Sequence, residues 1–411
     1  MNSLPTDLLL PHGVDTRARP VLLARSLRAL ADGYMAVLLP AYLLALGLGT
    51  LEVGLLSTAT MLGSAAATLA VGAWGHRAGS GVLLRAAALL MCATGVGFAL
   101  LGSFGPLLVV ATVGTLNPSS GDVSVFLPLE HARLAGAAAG RARTALFARY
   151  SVLGALCAAL GALAAGLPDA LVRGAGLARL DALRAMFVVY ALLGLAVFAL
   201  YRRTPPAAAA GTPAPAPLGP SRGVVVRLAA LFSVDSFGGG FVVQSLLVLW
   251  LHRRFQLDQR TTAAVFFVAG TLAALSQVLS PRVAARIGLI RTMVYTHLPA
   301  NLFLIAAGVM PTAPLAIACL LLRMSVSSMD VPARQAFVMA VVPPEERAAA
   351  ATVTNVPRSL AAGLAPLIAG ALLQKTSFGW PLIIGGALKA IYDLALLVQF
   401  RAVAPREHGI R

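Results

Sequence analysis

Long runs of apolar residues, separated by short polar stretches, set the pattern of this chain from residue 21 onward. Each run holds about 20 residues, the length of helix that crosses a bilayer core about 30 Å thick. The runs do not alternate apolar and polar positions, as transmembrane β-strands do. The pattern therefore predicts an all-α membrane protein with twelve transmembrane helices, at 21–46, 51–74, 82–102, 106–129, 144–166, 184–202, 225–251, 260–281, 288–310, 313–341, 348–373 and 379–400.

Composition narrows the class of protein further. Of 411 residues, 59% are hydrophobic and 11% charged, with a mean hydropathy of +0.85, whereas soluble domains carry about 25% charged residues. So few charged residues cannot cover a water-exposed surface, which excludes a soluble enzyme or a disordered chain. The sequence has no nucleotide-binding loop, metal-ligand spacing or nucleophile–base constellation. We therefore expect a protein that is not an enzyme and that uses no cofactor or metal.

Basic residues concentrate on one side of the predicted topology. Twenty-three fall on the side that holds both termini, against seven on the other, and such an excess marks the cytoplasmic face. The net charge of +17 is thus explained by topology and attraction to anionic lipid, and we expect no nucleic-acid partner. Thirty arginines against two lysines indicate a GC-rich bacterial genome, which predicts a bacterial inner-membrane protein with cytoplasmic termini.

A segment rich in Pro and Ala, 203–223, divides the chain into an N-terminal bundle, 1–202, and a C-terminal bundle, 224–411. Its composition is typical of an extended tether. Because the two parts repeat each other at offsets of 203 to 209 residues, we expect two pseudo-symmetric six-helix bundles. Small residues in the fifth and eleventh spans are expected to serve close helix packing. The matched pairs are Asp32 and Asp235, Arg77 and Arg286, Gly79 and Gly288, Asp122 and Asp330, Arg149 and Arg358, and Gly161 and Gly370.

These features resemble the major facilitator superfamily over nearly the whole chain. Besides the helix count and linker, the resemblance rests on Gly72-Ala-Trp-Gly-His-Arg-Ala-Gly79 after the second span, which is similar to the family's glycine–acid–base–glycine signature. His76 departs from that signature, since the family usually has aspartate there. The resemblance implies a secondary transporter with alternating access to a site between its halves. Small-molecule substrate, protons and membrane lipids are the expected partners, and we expect a monomer.

Ionisable residues inside the spans are the strongest indication of a site, because a charge near the bilayer centre costs ~2.5–3.5 kcal/mol. Asp32, Asp122, Asp235 and Asp330 lie on predicted spans one, four, seven and ten. In the family that the chain resembles, these four helices line the central cavity. Together with Arg323, the four acids are candidates for proton coupling and substrate binding.

Local spacing ranks the two acids on the first helix of each bundle. Neither acid has a basic residue at i+3 or i+4, but Arg28 stands four residues before Asp32, whereas Asp235 has no comparable residue until Arg227, eight before it. We therefore expect Asp235 to be the less compensated acid and the main site of proton coupling.

The i,i+4 spacing also predicts two ion pairs. Asp330 and Arg334 are expected to pair near a gate or the cavity. Lys389 and Asp393 are expected to form a structural pair within the twelfth span.

Arginines near predicted cytoplasmic helix ends are candidates for gating. Arg149 is expected to pair with Asp122, and Arg358 with Asp330, when the cytoplasmic side is closed. Tyr34 and Gln244 are candidates for substrate contacts. The gating set comprises Arg77, Arg286, Arg149, Arg358 and Arg334.

These residues together predict proton-coupled efflux of a small organic solute. A mostly apolar cavity with a few acids is expected to suit cationic or neutral amphiphiles better than anions. Proton-coupled uptake of a nutrient or metabolite is the alternative. A membrane sensor that reuses the fold without transport is a third interpretation.

Overall fold

The structure, a computed structural model, describes Leu10 and residues 14–119, 124–203 and 218–400, without the side chains of 73–77, 140, 141, 344 and 348. Every regular element in these ranges is helical, as the apolar pattern predicts. Residues 204–217 of the predicted linker lie outside them. The α-helices are α1 (Arg19–Ala45), α2 (Thr50–Ala78), α3 (Ser80–Leu100), α4 (Phe104–Val113), α5 (Phe126–Ala137), α6 (Gly140–Ala164), α7 (Leu167–Ala175), α8 (Arg179–Arg202), α9 (Arg222–Gly240), α10 (Gln244–Phe255), α11 (Gln259–Ile287), α12 (Leu289–Val309), α13 (Ala313–Ser327), α14 (Asp330–Val341), α15 (Arg347–Lys375) and α16 (Trp380–Phe400).

Within the described ranges, eleven helices or helix pairs are long and apolar enough to cross a membrane. They coincide with eleven of the twelve predicted spans. The fourth span differs from the prediction, because α4 is a shorter apolar helix that stops at Val113 instead of continuing to residue 129. Gly114 is extended, and Pro118 disfavours helical backbone in the residue before it. Among the described residues beyond this point, the next helix begins at Phe126.

Two other predicted spans are also interrupted. The seventh is divided at 241–243 into α9 and α10, and the tenth at 328–329 into α13 and α14. Interrupted membrane helices leave backbone groups outside the regular helical ladder, and in transporters they frequently border binding sites. The fourth, seventh and tenth spans, which carry three of the four candidate acids, are thus the ones broken in mid-course.

The chain divides into two compact units, residues 1–210 with 258–267, and residues 211–257 with 268–411. In the first unit α1 packs along α6 and α8, while α3 packs along α8. In the second unit α9 packs along α15 and α16, while α12 packs along α16. The two units therefore share one packing scheme, as expected for a duplicated six-helix sequence.

Glycines at matched positions allow two features of this scheme. Gly79 follows α2 with a φ of +71°, and Gly288 follows α11 with a φ of +86°, in a region that side chains rarely adopt. Each glycine lets the chain turn directly into the next helix. At the crossing of α1 and α6, a Cβ added to Gly161 would lie 2.1 Å from the backbone oxygen of Leu30. The predicted packing role of Gly161 is thereby confirmed.

Candidate functional site

The candidate acids fall into different surroundings. Asp32 lies buried on α1, Asp235 lies buried on α9, and Asp330 begins α14. Asp122 lies outside the described residues, so its predicted role stays a prediction.

Asp235 is the centre of a buried ionic cluster in the second unit. Its Oδ1 accepts a hydrogen bond from Lys389 Nζ at 2.6 Å, and its Oδ2 accepts one from Arg334 Nη1 at 3.0 Å. Lys389 Nζ also donates to the backbone oxygen of Asp235 at 3.2 Å. The expectation that Asp235 is the less compensated acid was therefore wrong. Its cations come from α14 and α16, far away in sequence, rather than from its own helix.

Arg334 joins a second acid to this cluster. Its Nη1 lies 3.6 Å from Asp330 Oδ2, so the predicted i,i+4 pair is confirmed. The guanidinium also lies over the ring of Phe232, 5.5 Å from its centroid. Arg334 is only 5% exposed and is shared by two carboxylates, so it holds α9 and α14 together.

A histidine of α12 extends the cluster to a further carboxylate, Asp393 of α16. His297 Nδ1 lies 2.9 Å from Asp393 Oδ1, and its Nε2 lies 3.8 Å from Asp235 Oδ1. Asn301 Nδ2 donates to Asp393 Oδ2 at 2.9 Å. The predicted local pair of Lys389 with Asp393 was wrong, because the lysine turns toward α9 and the carboxylate toward α12. We refer to Asp235, Asp330, Arg334, Lys389, His297 and Asp393 as the Asp235 cluster.

The first unit holds a different buried cluster, centred on Glu130 of α5. Three donors converge on its carboxylate: Tyr150 Oη at 2.5 Å, the Arg28 guanidinium and Tyr201 Oη. Glu130 has no exposed surface, and Arg28 also lies over the ring of Phe126. Sequence analysis missed Glu130, because the residue falls just beyond the predicted fourth span. We refer to Glu130, Arg28, Tyr150 and Tyr201 as the Glu130 cluster.

Asp32 lies one turn from Arg28 and yet belongs to neither cluster. Arg28, its expected partner, binds Glu130 instead. Asp32 is 8% exposed, and no hydrogen bond or ion pair joins its carboxylate to another side chain in the part of the chain that the structure describes. Asp32 is thus the less compensated of the two matched acids, the reverse of the ranking from local spacing.

Three further candidates lie in different surroundings: Tyr34 and Gln244, predicted to contact substrate, and Arg323, predicted to belong to the cavity. The Tyr34 hydroxyl donates to the backbone oxygen of Met186 at 3.3 Å, so it links α1 to α8. Gln244 begins α10, directly after the break in the seventh span, and is half-buried. Arg323 Nη1 donates to Met324 Sδ at 3.2 Å, while its Nε is buried without a hydrogen-bond partner.

The gating candidates are spread over several helices. Arg358 Nε donates to Ser236 Oγ at 2.9 Å, beside the Asp235 cluster, and Arg149 lies on α6. Arg286 lies exposed near the end of α11, while the side chain of Arg77 lies outside the described residues. The pairing of Arg149 with Asp122 and of Arg358 with Asp330 stays a prediction.

Taken together, duplicated six-helix units, broken spans and buried ionic clusters define a polytopic membrane protein of the transporter class. The sequence matches the Major Facilitator Superfamily over residues 21–356, and the chain belongs to that family. It is a non-enzymatic, multi-pass membrane transporter of a solute.

Similar proteins agree with this assignment. An uncharacterized membrane protein of Saccharomyces cerevisiae is 26% identical over 420 aligned positions, which cover 92% of this chain and 92% of that protein. Among solved structures, a D-xylose–proton symporter has a TM-score of 0.73 at 14% identity, covering 95% of this chain and 99% of its own. The nucleoside transporter NupG has a TM-score of 0.70 at 13% identity, covering 94% and 99%. At these identities the two structures support the fold alone.

Proposed function

We propose that this transporter moves a small organic solute by alternating access and couples the movement to protons, with Asp32 as the acid that takes up and releases the proton. The observation that carries the proposal is the environment of Asp32. Its carboxylate is buried on α1, yet no cation in the described residues is paired with it. A nearby permanent cation favours the ionised form of a carboxyl group, so a buried acid without such a cation at contact distance gains and loses a proton more readily.

Asp235 supports the proposal by contrast. It occupies the matched position in the second unit, but Lys389 and Arg334 both donate to its carboxylate. Two permanent cations at hydrogen-bond distance favour the ionised form throughout a cycle. We therefore assign the exchangeable proton to Asp32 and a structural role to Asp235.

The test uses purified protein in proteoliposomes and the solute that stabilises it most in a thermal-shift screen. Asp32→Asn keeps the size of the side chain but cannot release a proton. We expect it to abolish accumulation driven by a pH gradient while solute exchange without a gradient continues. Asp181→Asn, at an exposed position on α8, is the matched control and should behave like the wild type. Full gradient-driven accumulation in Asp32→Asn would refute the assignment.

The direction of transport is part of the proposal, and we propose efflux in exchange for protons. Uptake together with protons is the second candidate, because a D-xylose–proton symporter has a similar fold. The same vesicles separate the two directions. For efflux, solute and protons cross in opposite directions, so an inward solute gradient alkalinises the lumen. For uptake, the same gradient acidifies it.

We also propose a bacterial inner-membrane location, based on the thirty arginines against two lysines. Both termini and the 203–223 linker are then cytoplasmic, based on the positive-inside excess. Single cysteines at Ala210 in the linker and at Ala175, which ends α7, test the orientation in whole cells. An impermeant maleimide should label Ala175→Cys from outside and spare Ala210→Cys. The opposite labelling pattern would overturn the orientation.

A further inference from the structure

We propose that Arg323 binds an oxyanion group of the transported solute, such as a carboxylate or a phosphonate. This inference rests on the proposed transport function and names the chemical class of solute. It replaces the expectation that acids in the site favour cationic or neutral solutes.

Arg323 has more hydrogen-bond donors than partners. A guanidinium carries five N–H donors in a planar fork. In Arg323, Nη1 donates to Met324 Sδ at 3.2 Å, a weak acceptor, and the buried Nε has no partner. No carboxylate among the described residues lies within the 4.0 Å limit of an ion pair with it. The side chain is half-buried in the middle of a predicted span.

The acids that could neutralise Arg323 in its own unit are already engaged. Asp235 accepts from both Lys389 and Arg334, and Asp330 shares Arg334. Lys389 and Arg334 thus have carboxylates at ion-pair distance, whereas Asp235 and Asp330 act on Arg323 only from beyond that distance. An unpaired charge inside a membrane span is costly, and such residues usually serve a ligand or a path.

A carboxylate or phosphonate would supply what Arg323 lacks. Two oxygens of such a group match the guanidinium fork with two parallel, charge-assisted hydrogen bonds. A neutral amide offers one weaker acceptor, and an ammonium is repelled. Discrimination by charge is therefore the property that the site should display.

The test compares ligands of similar shape and different charge. Benzoate and phenylphosphonate are the anionic probes, and benzamide and benzylamine are their neutral and cationic counterparts. Each is titrated against purified wild type, Arg323→Gln, Arg323→Lys and Arg282→Gln, with thermal stabilisation as the readout. Arg282 is an exposed arginine of α11 in the same unit, so its substitution removes the same charge elsewhere.

We expect at least one anion to stabilise the wild type more than benzamide or benzylamine does. Arg323→Gln should weaken that anion about 10- to 100-fold, the range of a lost charge-assisted interaction, and Arg282→Gln should leave it unchanged. Arg323→Lys keeps the charge without the fork and should lie in between. The ligand-free melting temperature of Arg323→Gln should fall little, because no carboxylate among the described residues contacts the removed cation and its one acceptor, Met324 Sδ, is weak, and this shows that the variant is folded.

Two results would overturn the inference. In one, no anion binds the wild type better than its counterparts. In the other, Arg323→Gln retains anion binding but alters transport rates, as expected if Arg323 pairs with an acid in another conformation. Anion binding is measured on purified protein without a pH gradient, so its outcome does not depend on the proposed proton coupling. If Asp32→Asn keeps gradient-driven transport while Arg323→Gln loses anion binding, the proton assignment fails and the anion site stands.

Discussion

In the first unit, the first helix supplies the cation Arg28 and the second part of the broken fourth span supplies the acid Glu130. In the second unit these signs are reversed, since α9 supplies the acid Asp235 and α14 supplies the cation Arg334. In both units, therefore, a buried ion pair joins the first helix to the helix after the break. The helix that carries the acid in one unit corresponds to the helix that carries the cation in the other. It follows that a residue's place in the repeat does not determine its role. Asp32 and Asp235 share a place, yet only Asp235 is neutralised.

The largest expected effect comes from removing the charge of Asp235. Asp235→Asn leaves Lys389 and Arg334 buried without the anion that both contact, and breaking a buried pair in this way costs about 3–5 kcal/mol. We expect a pronounced drop in the melting temperature of purified protein relative to Asp181→Asn. A melting temperature within one degree of that control would mean that the cluster contributes little to stability.

The corresponding change in the first unit should be smaller. Glu130→Gln removes the partner of one cation, Arg28, but keeps an oxygen that can accept from Tyr150 or Tyr201. We expect a loss of about 2–3 kcal/mol, the range for hydrogen bonds to a charged group. Glu345→Gln, at an exposed position in the turn before α15, is the matched control. If Glu130→Gln destabilises more than Asp235→Asn, the number of cations does not explain the difference between the units.

A third effect concerns the extension of the Asp235 cluster through His297 and Asp393. Residues in direct contact show coupling energies of about 0.5–3 kcal/mol in double-mutant cycles, and we expect about 1 kcal/mol for this pair. The cycle uses His297→Gln, Asp393→Asn and the double variant, measured by thermal unfolding. Additive effects of the two substitutions would show that the 2.9 Å contact carries no net stability.

The sequence predicts the fold far better than it predicts the contacts of the site. Long apolar runs report bilayer thickness directly, and the repeat at matched acids and glycines predicts two equivalent bundles. The i,i+4 rule found the contact between Asp330 and Arg334, because both lie on one helix. It assigned Lys389 to Asp393 and left Asp235 without a partner, because contacts across 99 and 154 residues depend on helix packing that spacing does not encode.

Glu130 illustrates a second reason. Its charge lies beyond the predicted end of the fourth span, where an acid looks like an ordinary loop residue. The break after Val113 and the return of helix at Phe126 carry it back into the protein. Pro118 was visible in the sequence and is the signal that could have indicated this break.

The smallest effect on stability is expected for Asp32→Asn. Asp32 has no ion pair to lose in the described residues, so removal of its charge breaks no contact of the kind that anchors Asp235. Uncompensated charge in a membrane span is itself unfavourable. We therefore expect the free energy of unfolding to stay within about 0.5 kcal/mol of the wild type, the range of substitutions that disturb no particular interaction, or to rise.

The measurement is a melting curve of Asp32→Asn beside Asp235→Asn in the same detergent. Both substitutions remove one carboxylate from matched positions of the repeat, on the first helix of each unit, and both change the side-chain volume equally. A stability loss of equal size in the two variants would mean that Asp32 has an anchoring contact comparable to that of Asp235. A loss confined to Asp235→Asn, with gradient-driven transport lost in Asp32→Asn, would separate the two duplicated acids into one that holds the protein together and one that carries the proton.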